Sequence, residues 1–406
     1  MPSAAARPVK SIIIKGNSNT NKEVILRELL FAEGDAVTDS MITVSRKRLE
    51  NLWLFNRVEI FVLPDGDSIS LLISVTERLF IFPFPIFTLD DRDWNKITYG
   101  LGVAHTNFRG WNEKVFGQLF FGNRPGYGIS YTNPWINREL HLTAGIFILK
   151  YSTGNHSYNF DEKHFYTAFS IGKYWNRDFY SKISLYRDAI GVSKTAAPLL
   201  QSGSTKDVNY GFIFSSVYDR RDLYAYPTKG FYAKILFKKS GLFDKSIDYS
   251  QYGFDFFKYF NWKGIILAGR LSTLQSLGTL PVYDRVYFGY SNRIRGHFNE
   301  VIEGRHLFMS GLALRFPLIK TRYYSVPSFL LPSSSTKNLK FGLNGGFFAE
   351  RGIVWSRREQ FASKNFINGF GLGLHFLLPY IEVLRLDLAF DEQFKHEYIL
   401  EILMPF

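Results

Sequence analysis

Residues 396–406, His-Glu-Tyr-Ile-Leu-Glu-Ile-Leu-Met-Pro-Phe, decide the fold class of this chain. Successive side chains of a β-strand point to opposite faces. One face of this stretch is therefore apolar and consists of Tyr398, Leu400, Ile402, Met404 and Phe406. The opposite face includes Glu397 and Glu401. An apolar outer face with a charged inner face is typical of a strand in a lipid-embedded barrel, whereas a soluble barrel has an apolar interior.

The same alternation recurs upstream. In Leu384–Phe390, two charged residues lie opposite four apolar ones, and Glu350 ends a similar segment that begins at Phe341. From residue 79 onward, segments of about ten residues with this pattern are separated by turn residues, and about sixteen of them can be counted. The sequence therefore predicts a mainly β protein, with a transmembrane antiparallel β-barrel of about sixteen strands at residues 79–406.

Composition excludes several other classes of protein. The 406 residues are 46% hydrophobic and 17% aromatic, a bias that suits strands, and they contain no cysteine. The absence of cysteine removes disulfide scaffolds, thiolate metal sites and cysteine nucleophiles. Because no run of about 18 uncharged apolar residues occurs, a helical membrane protein is disfavoured.

The positive charge is unevenly distributed. The net charge is +13, yet residues 1–78 contain ten basic and ten acidic side chains, so the excess belongs to residues 79–406. The basic residues alternate with aromatic strand segments and form no block longer than Arg46-Lys47-Arg48, which argues against nucleic-acid binding. Two explanations of the basic excess in residues 79–406 remain open. The basic residues contact outer-membrane lipid phosphates, including those of lipopolysaccharide, or they line a polar lumen.

Residues 9–78 have a different pattern and predict a small α+β domain in the order strand, helix, helix, strand, strand. Asn21 is a candidate cap for a helix over Lys22–Phe31, and Thr38 or Asp39 begins a second helix. A hairpin signature follows, and its first strand is predicted at Arg57–Leu63. Residues 1–8 form a tail without an apolar signal segment, from which we expect either a trimmed chain or a mis-set start.

The first barrel segment, Leu79–Leu89, contains two prolines of the same parity. Proline donates no backbone hydrogen bond and is tolerated in sheets at edges or bulges, whereas a closed barrel has no edge. We therefore expect a weak seam between the first and last strands. Its residues are Pro83, Phe84, Pro85, Leu400, Ile402 and Phe406. The alternative is that both prolines belong to a linker turn before the first strand.

Several motifs give the chain a resemblance to the BamA/TamA-type outer-membrane assembly family. The N-terminal unit looks like a single POTRA domain. The stretch Tyr218–Asp222 and the Pro-Thr-Lys-Gly after it resemble the family turn, whose residues here are Asp219, Asp222, Pro227 and Gly230. Ile294-Arg295-Gly296-His297 is similar to the family's Arg-Gly loop motif, and Gly371–Phe406 resembles its closing strands.

The resemblance implies a loop clamp inside the barrel. The loop arginine of the family folds back and contacts acidic residues of the inner wall, and Arg295, followed by Gly296, matches it. Glu350 occupies the position of the wall acid. Where the family commonly has a second acid this chain has Ala313, so we expect either a weaker clamp or one in which Asp387 replaces the missing acid. The alternative is that Arg295 is a solvated loop residue.

The resemblance further implies an outer-membrane location, with the POTRA domain in the periplasm. The long connections at 191–206 and 276–305 then lie on the outer side, and residues 317–340 form an insert on the periplasmic side.

The implied function is insertion of client barrels into the outer membrane at the seam. Unfolded clients would be captured by β-augmentation along an edge made of Arg57, Val58, Glu59, Ile60 and Phe61. Accessory lipoproteins are further expected partners, and no cofactor or metal is expected. No His-Glu-x-x-His or Gly-x-Ser-x-Gly motif occurs, so we do not expect an enzyme. The alternative function is that of a translocator that passes one client through the lumen, with residues 276–305 as a plug.

Overall fold

The structure is a computed structural model that describes residues 7–89, 97–155, 157–244, 246–289, 292–297, 300–327 and 336–402. None of the helices in these ranges is long and apolar enough to cross a membrane.

The N-terminal domain is a four-stranded sheet covered by two helices. Its elements are β1 Arg7–Lys15, α1 Lys22–Leu26, β2 Ala36–Val37, α2 Asp39–Asn51, β3 Phe55–Asp65 and β4 Ser68–Glu77. The strand order is β2-β1-β4-β3, so β3 is an edge strand. Val24 and Ile25 of α1, Leu49 of α2, and Leu71 and Ile73 of β4 form the centre of the core.

Two boundaries of this domain differ from the sequence prediction. The first helix ends at Leu26 and not at Phe31, because the backbone N–H of Leu30 bonds to Ser45 Oγ of α2 at 2.9 Å and the segment turns inward. The first strand already begins at Arg7, which pairs with Val37 of β2.

Sixteen antiparallel strands form the barrel, and the prediction of its class is confirmed. The barrel strands are β5 Ile81–Leu89, β6 Ile97–Phe108, β7 Glu113–Gly122, β8 Gly126–Asn137, β9 Leu142–Asn155, β10 Phe160–Tyr174, β11 Phe179–Gly191, β12 Lys206–Asp219, β13 Gly230–Ser240, β14 Tyr249–Trp262, β15 Ile265–Gly278, β18 His306–Tyr324, β19 Leu339–Trp355, β20 Ile367–Leu378, β21 Glu382–Phe390 and β22 His396–Ile402. A short separate hairpin, β16 Val286–Phe288 and β17 Ile302–Gly304, lies in the connection between β15 and β18.

The alternation of β22 illustrates the construction of the wall. Leu400 is 66% exposed on the outer face, whereas Ile399 and Glu401 are buried on the inner face. Ile146, Leu185 and Leu312 are exposed in the same way on other strands. The barrel thus presents an apolar surface outward and places charge inside, as lipid requires.

In the region expected as an insert at 317–340, residues 317–324 belong to β18 and residues 339–340 to β19, while residues 328–335 lie outside the described residues. After register shifts near Pro317 and Ile319, β18 pairs again with β19, with Arg322 opposite Phe341. The resulting long hairpin reaches the N-terminal domain, where Asn338 Nδ2 donates to Thr76 Oγ1 at 3.0 Å. The extra residues therefore make a contact between the two domains.

The N-terminal domain lies against turns at one end of the barrel. Asn21 N–H donates to the carbonyl of Gly110 in the β6–β7 turn at 2.9 Å. Arg78 pairs with Glu382, at the β20–β21 turn, at 2.6 Å. Together with the β18–β19 hairpin, these contacts place the domain across the mouth of the barrel.

The β12–β13 turn forms a further contact and contains the family turn motif. Lys47 Nζ lies 2.8 Å from Asp222 Oδ2, and the carbonyl of Asp222 accepts from Asn51 Nδ2 at 3.1 Å. Gly230 has φ +102°, and a Cβ there would lie 2.0 Å from the carbonyl oxygen of Arg220, so only glycine fits.

The other two motif residues support the same turn. Asp219 accepts from Arg221 Nε at 2.9 Å, and Pro227 is buried. The Asp222 carboxylate also accepts from the backbone N–H of Thr228 at 2.8 Å, so a single carboxylate joins the turn to helix α2.

The charge of Asp222 makes this contact dependent on pH. Burial alone would raise the pKa of the Asp222 carboxyl, but hydrogen bonds from Lys47 and Thr228 lower it below its usual value. A carboxyl with a lowered pKa in the folded state stabilises that state above its unfolded pKa, and this contribution is lost as pH falls through the folded pKa.

We predict that Asp222→Asn loosens the N-terminal domain from the barrel. The chain has no cysteine, so spin labels at Ser40→Cys and Lys229→Cys report one distance by double electron–electron resonance. The wild-type distribution should stay narrow from pH 8 to pH 5 and broaden below about pH 3.9, the usual pKa of aspartate. It should be broad at all these pH values in Asp222→Asn.

Asp65→Asn is the control, because Asp65 pairs with Lys10 inside the N-terminal domain. A narrow distribution in Asp222→Asn at pH 7 would contradict the role assigned to this carboxylate.

Candidate functional site

The connection between β15 and β18 folds into the lumen around an apolar cluster. Val286, Phe288 and Ile294 of this connection pack with Leu307 of β18 and with other wall residues. A Cβ on Gly352 of β19 would lie 2.7 Å from the Phe288 ring, so the wall approaches the loop closely there. The loop is therefore packed against the inner wall.

Arg295 at the tip of this loop lies between two wall carboxylates. Its Nη2 donates to Glu350 Oε1 at 2.7 Å, and its Nη1 donates to Asp387 Oδ2 at 2.8 Å. The backbone N–H of Arg295 also donates to Glu350 Oε2 at 3.0 Å. The guanidinium stacks on the Phe348 ring at 3.5 Å and is only 4% exposed. Buried charge-assisted contacts of this kind hold a loop in one orientation.

Gly296 permits the close approach of the loop to the wall. Its φ is +99°, and a Cβ would lie 2.5 Å from the carbonyl oxygen of Phe390. Its N–H donates to Glu397 Oε1 of β22 at 2.6 Å. The Arg-Gly pair therefore contacts β19, β21 and β22, while Ala313 packs in an apolar cluster of the wall.

Four further residues extend this network to the last strand, and the sequence analysis did not assign them to the site. Arg293 of the loop and Arg385 of β21 both donate to Glu401, and Glu397 binds Gly296 as described. Arg385 Nε also lies 3.0 Å from Asp387 Oδ2. The sequence pattern already placed Glu397 and Glu401 on the inner face, but their partners in the loop and on β21 depend on how distant parts of the chain come together.

The seam is the second part of the site. Both Pro83 and Pro85 lie within β5, opposite Val103 and Leu101 of β6, and not in a linker turn. Within the described ranges, no strand ladder joins β5 to β22, since β5 pairs with β6 and β22 with β21.

The prolines affect the free edge of β5. The carbonyl of Phe80 accepts from Thr106 N–H at 2.9 Å, so the even-numbered residues of this segment direct their backbone groups toward β6. The odd-numbered residues direct theirs toward the free edge. Pro83 and Pro85 therefore remove two hydrogen-bond donors from the edge that faces β22.

The remaining seam residues lie on different faces. Phe84 faces the lumen and stacks on Phe116 with ring centroids 5.3 Å apart. Leu400 and Ile402 are exposed on the outer face, and Phe406 lies outside the described residues.

The start of β5 is held at the mouth of the barrel. Phe82 meets the Tyr380 ring edge-on with ring centroids 5.6 Å apart, close to the Arg78–Glu382 pair. The start of β5 is thus anchored, whereas the rest of its free edge lacks a ladder.

The predicted client-binding edge is only partly accessible. Val58 is buried in the domain core and Ile60 is half-buried. Arg57 pairs with Glu59 at 2.7 Å and donates to Asn338 Oδ1 of the long hairpin at 3.2 Å. Phe61 is exposed, as are Val62 and Leu63 beyond it. The open part of the edge is therefore displaced toward the far end of β3.

A cavity of about 1200 Å³ lies between the helices of the N-terminal domain and the barrel wall. Its lining combines cations and aromatic rings, and Arg27 lies 4.9 Å above the Trp135 ring while Arg138 lies 3.9 Å above the Trp111 ring. We call this cavity the chamber.

The fold and the loop define a class of outer-membrane barrel with an N-terminal domain at its mouth. The chain matches the Omp85 superfamily domain over residues 107–398 and the POTRA family, described as surface antigen variable number repeat, over residues 8–78. The chain belongs to the Omp85 superfamily. An Omp85 barrel with a POTRA domain implies the bacterial outer membrane with the POTRA domain in the periplasm, so the mouth described above is the periplasmic end.

Individual relatives are distant. The outer membrane protein assembly factor BamA of Nitratidesulfovibrio vulgaris is 24% identical over 311 residues, which are 73% of this chain and 38% of that protein. The chain thus spans well under half of this curated relative.

Two solved structures share the fold. BamA from Haemophilus ducreyi lacking POTRA domains 1–3 has a TM-score of 0.58 at 15% identity and covers 98% of this chain and 84% of that chain. CdiB from Acinetobacter baumannii has a TM-score of 0.55 at 13% identity and covers 97% of this chain and 73% of that chain.

We predict that Arg295→Gln destabilises the barrel by about 3–5 kcal/mol, because it leaves the buried carboxylate of Glu350 without its ion-pair partner and removes one of the two arginines that pair with Asp387. Urea unfolding of the full chain in lipid vesicles, followed by tryptophan fluorescence, measures this change.

Arg351→Gln is the matched control, since Arg351 contacts Ser363 and Phe366 outside the loop network. Equal stability of the two variants would contradict the role of Arg295.

Proposed function

We propose that this chain inserts client β-barrel proteins into the outer membrane by templating their strands at the seam between β5 and β22. One observation carries the proposal: β5 lacks two backbone donors, at Pro83 and Pro85, on the edge that faces β22. This feature supports a joint that opens sideways into the bilayer.

The driving force is hydrogen bonding in lipid. The hydrocarbon core offers no water to an unpaired N–H or C=O, so each such group is costly. A client strand that pairs with the free edge of β22 satisfies groups on both chains. Each new pair therefore lowers the barrier to insertion, and no nucleotide or cofactor is required.

The lumen loop keeps one side of the joint fixed in this mechanism. Arg293 and Gly296 contact Glu401 and Glu397 of β22, and Arg295 contacts β19 and β21. The template strand thus stays in place while β5 separates. Arg295, Gly296, Glu350 and Asp387 together form the loop clamp of this proposal.

Capture of the client precedes templating. The edge strand β3 offers backbone groups for β-augmentation, which needs no specific client sequence. The exposed apolar residues Phe61–Leu63 are the best part of this edge, because Arg57 is already engaged by the long hairpin. Unfolded outer-membrane proteins are the proposed partners, and accessory lipoproteins can extend the periplasmic surface.

A translocator remains the second candidate, and the chamber between the domain and the barrel mouth is the observation that favours it. A client would then pass through the lumen and displace the loop. The loop is packed on the wall and held by buried ion pairs, which favours the lateral route.

We predict that Pro83→Val with Pro85→Val slows client insertion, because the double variant restores two N–H donors on the seam edge. Folding of an added barrel client in proteoliposomes should slow at least fivefold, and the seam should become harder to open.

Pro134→Val is the control, since Pro134 lies in β8, away from the seam. An unchanged insertion rate in the double variant would remove the observation on which the proposal rests.

A further inference from the structure

The outer surface of the barrel has a cluster of cations on one side. Strand alternation places Lys150 of β9 on the same face as the exposed Ile146, and Lys163 of β10 on the face of the exposed Phe169. Arg187 of β11 shares a face with the exposed Leu185. These cations therefore lie on the outer face of the wall, among the apolar side chains that face lipid.

The cluster continues onto the next two strands. Lys206 is the first residue of β12 and shares its face with Phe214, while Lys239 of β13 shares its face with Ile235. All five cations lie within five residues of the strand ends opposite the POTRA domain. We call Lys150, Lys163, Arg187, Lys206 and Lys239 the outer basic patch.

Aromatic residues lie among these cations. Tyr127 and Phe165 stand directly opposite Lys150 on the two neighbouring strands. Tyr210 stands opposite Arg187, whose Nε donates to the Tyr210 hydroxyl at 3.3 Å. Aromatic side chains at this height mark the interface between hydrocarbon and headgroups. The patch therefore lies at headgroup depth.

The cations have few partners within the protein. Lys239 pairs with Asp248 of a loop. Within the described part of the chain, no carboxylate forms an ion pair with Lys150, Lys163 or Lys206. By contrast, the described outer faces of β5–β8 and β20–β22, which flank the seam, have no lysine or arginine near the same end.

We propose that the outer basic patch binds the phosphate groups of a phosphorylated glycolipid in the outer leaflet. Lysines at this depth extend their ammonium groups toward the headgroups, and guanidinium and ammonium groups form strong charge-assisted bonds with phosphate. The patch spans the fifth to ninth of the sixteen strands, so it lies across the barrel from the seam. Bound lipid would hold this wall in the membrane while the seam moves.

The proposal depends on the periplasmic position of the POTRA domain and not on the insertion function. The test uses the full chain in nonionic detergent, with diphosphorylated lipid A as the probe and dephosphorylated lipid A for comparison. The measurement is the thermal unfolding midpoint by tryptophan fluorescence as the lipid is added.

Two double variants are matched in charge. Lys150→Gln with Lys163→Gln removes two cations of the patch, whereas Lys173→Gln with Lys258→Gln removes two outward cations near the periplasmic strand ends. The phosphorylated lipid should raise the midpoint of the wild type and of the second variant. The rise should fall by at least half in the first variant and in 0.5 M salt.

Three results would overturn the proposal. They are the absence of any rise in the wild type, an equal rise with the dephosphorylated lipid, and an equal loss in both double variants. An equal rise with the dephosphorylated lipid would indicate binding of the acyl chains, and an equal loss in both double variants would indicate a general effect of net charge.

Discussion

A backbone polar group that faces hydrocarbon must find its hydrogen-bond partner within protein, and the architecture of this barrel depends on that constraint. Fourteen interior strands meet it through ladders on both sides, whereas β5 and β22 each have a described ladder on one side only. Pro83 and Pro85 reduce what β5 can donate at its free edge. The two strands are therefore unequal, since the described residues of β22 keep all their donors and β5 lacks two.

The polar interior supports the same asymmetry. Buried ion pairs are costly to form, and the loss of one partner leaves an uncompensated buried charge. The intact cluster therefore holds the loop, β19, β21 and β22 together. Arg295 and Arg293 connect the loop to this side of the seam. The contacts of β5 at the mouth, through Arg78 and Phe82, hold only its beginning. This arrangement supports the proposal of a fixed template strand and a movable partner.

Much of the fold could be predicted from the sequence, because the alternation of Leu400 with Glu401 and similar pairs directly reflects a wall between lipid and water. The prediction that Arg295 contacts Glu350 and Asp387 rested on the resemblance to a known family. Three features could not be predicted. The end of α1 depends on Ser45, the long hairpin on the register after Pro317, and the arginine partners of Glu401 on pairing between distant strands.

Cross-linking the seam tests the central claim most directly. Phe87→Cys and Tyr398→Cys both face outward, and neighbouring positions can be scanned until a disulfide forms. Ser216→Cys with Ile235→Cys, which stand opposite each other on β12 and β13, provides a control lock away from the seam. The account predicts that the oxidised seam stops client folding in proteoliposomes, that reductant restores it, and that the control lock has no effect. Unchanged client folding with a verified seam cross-link would contradict the account and favour passage through the lumen.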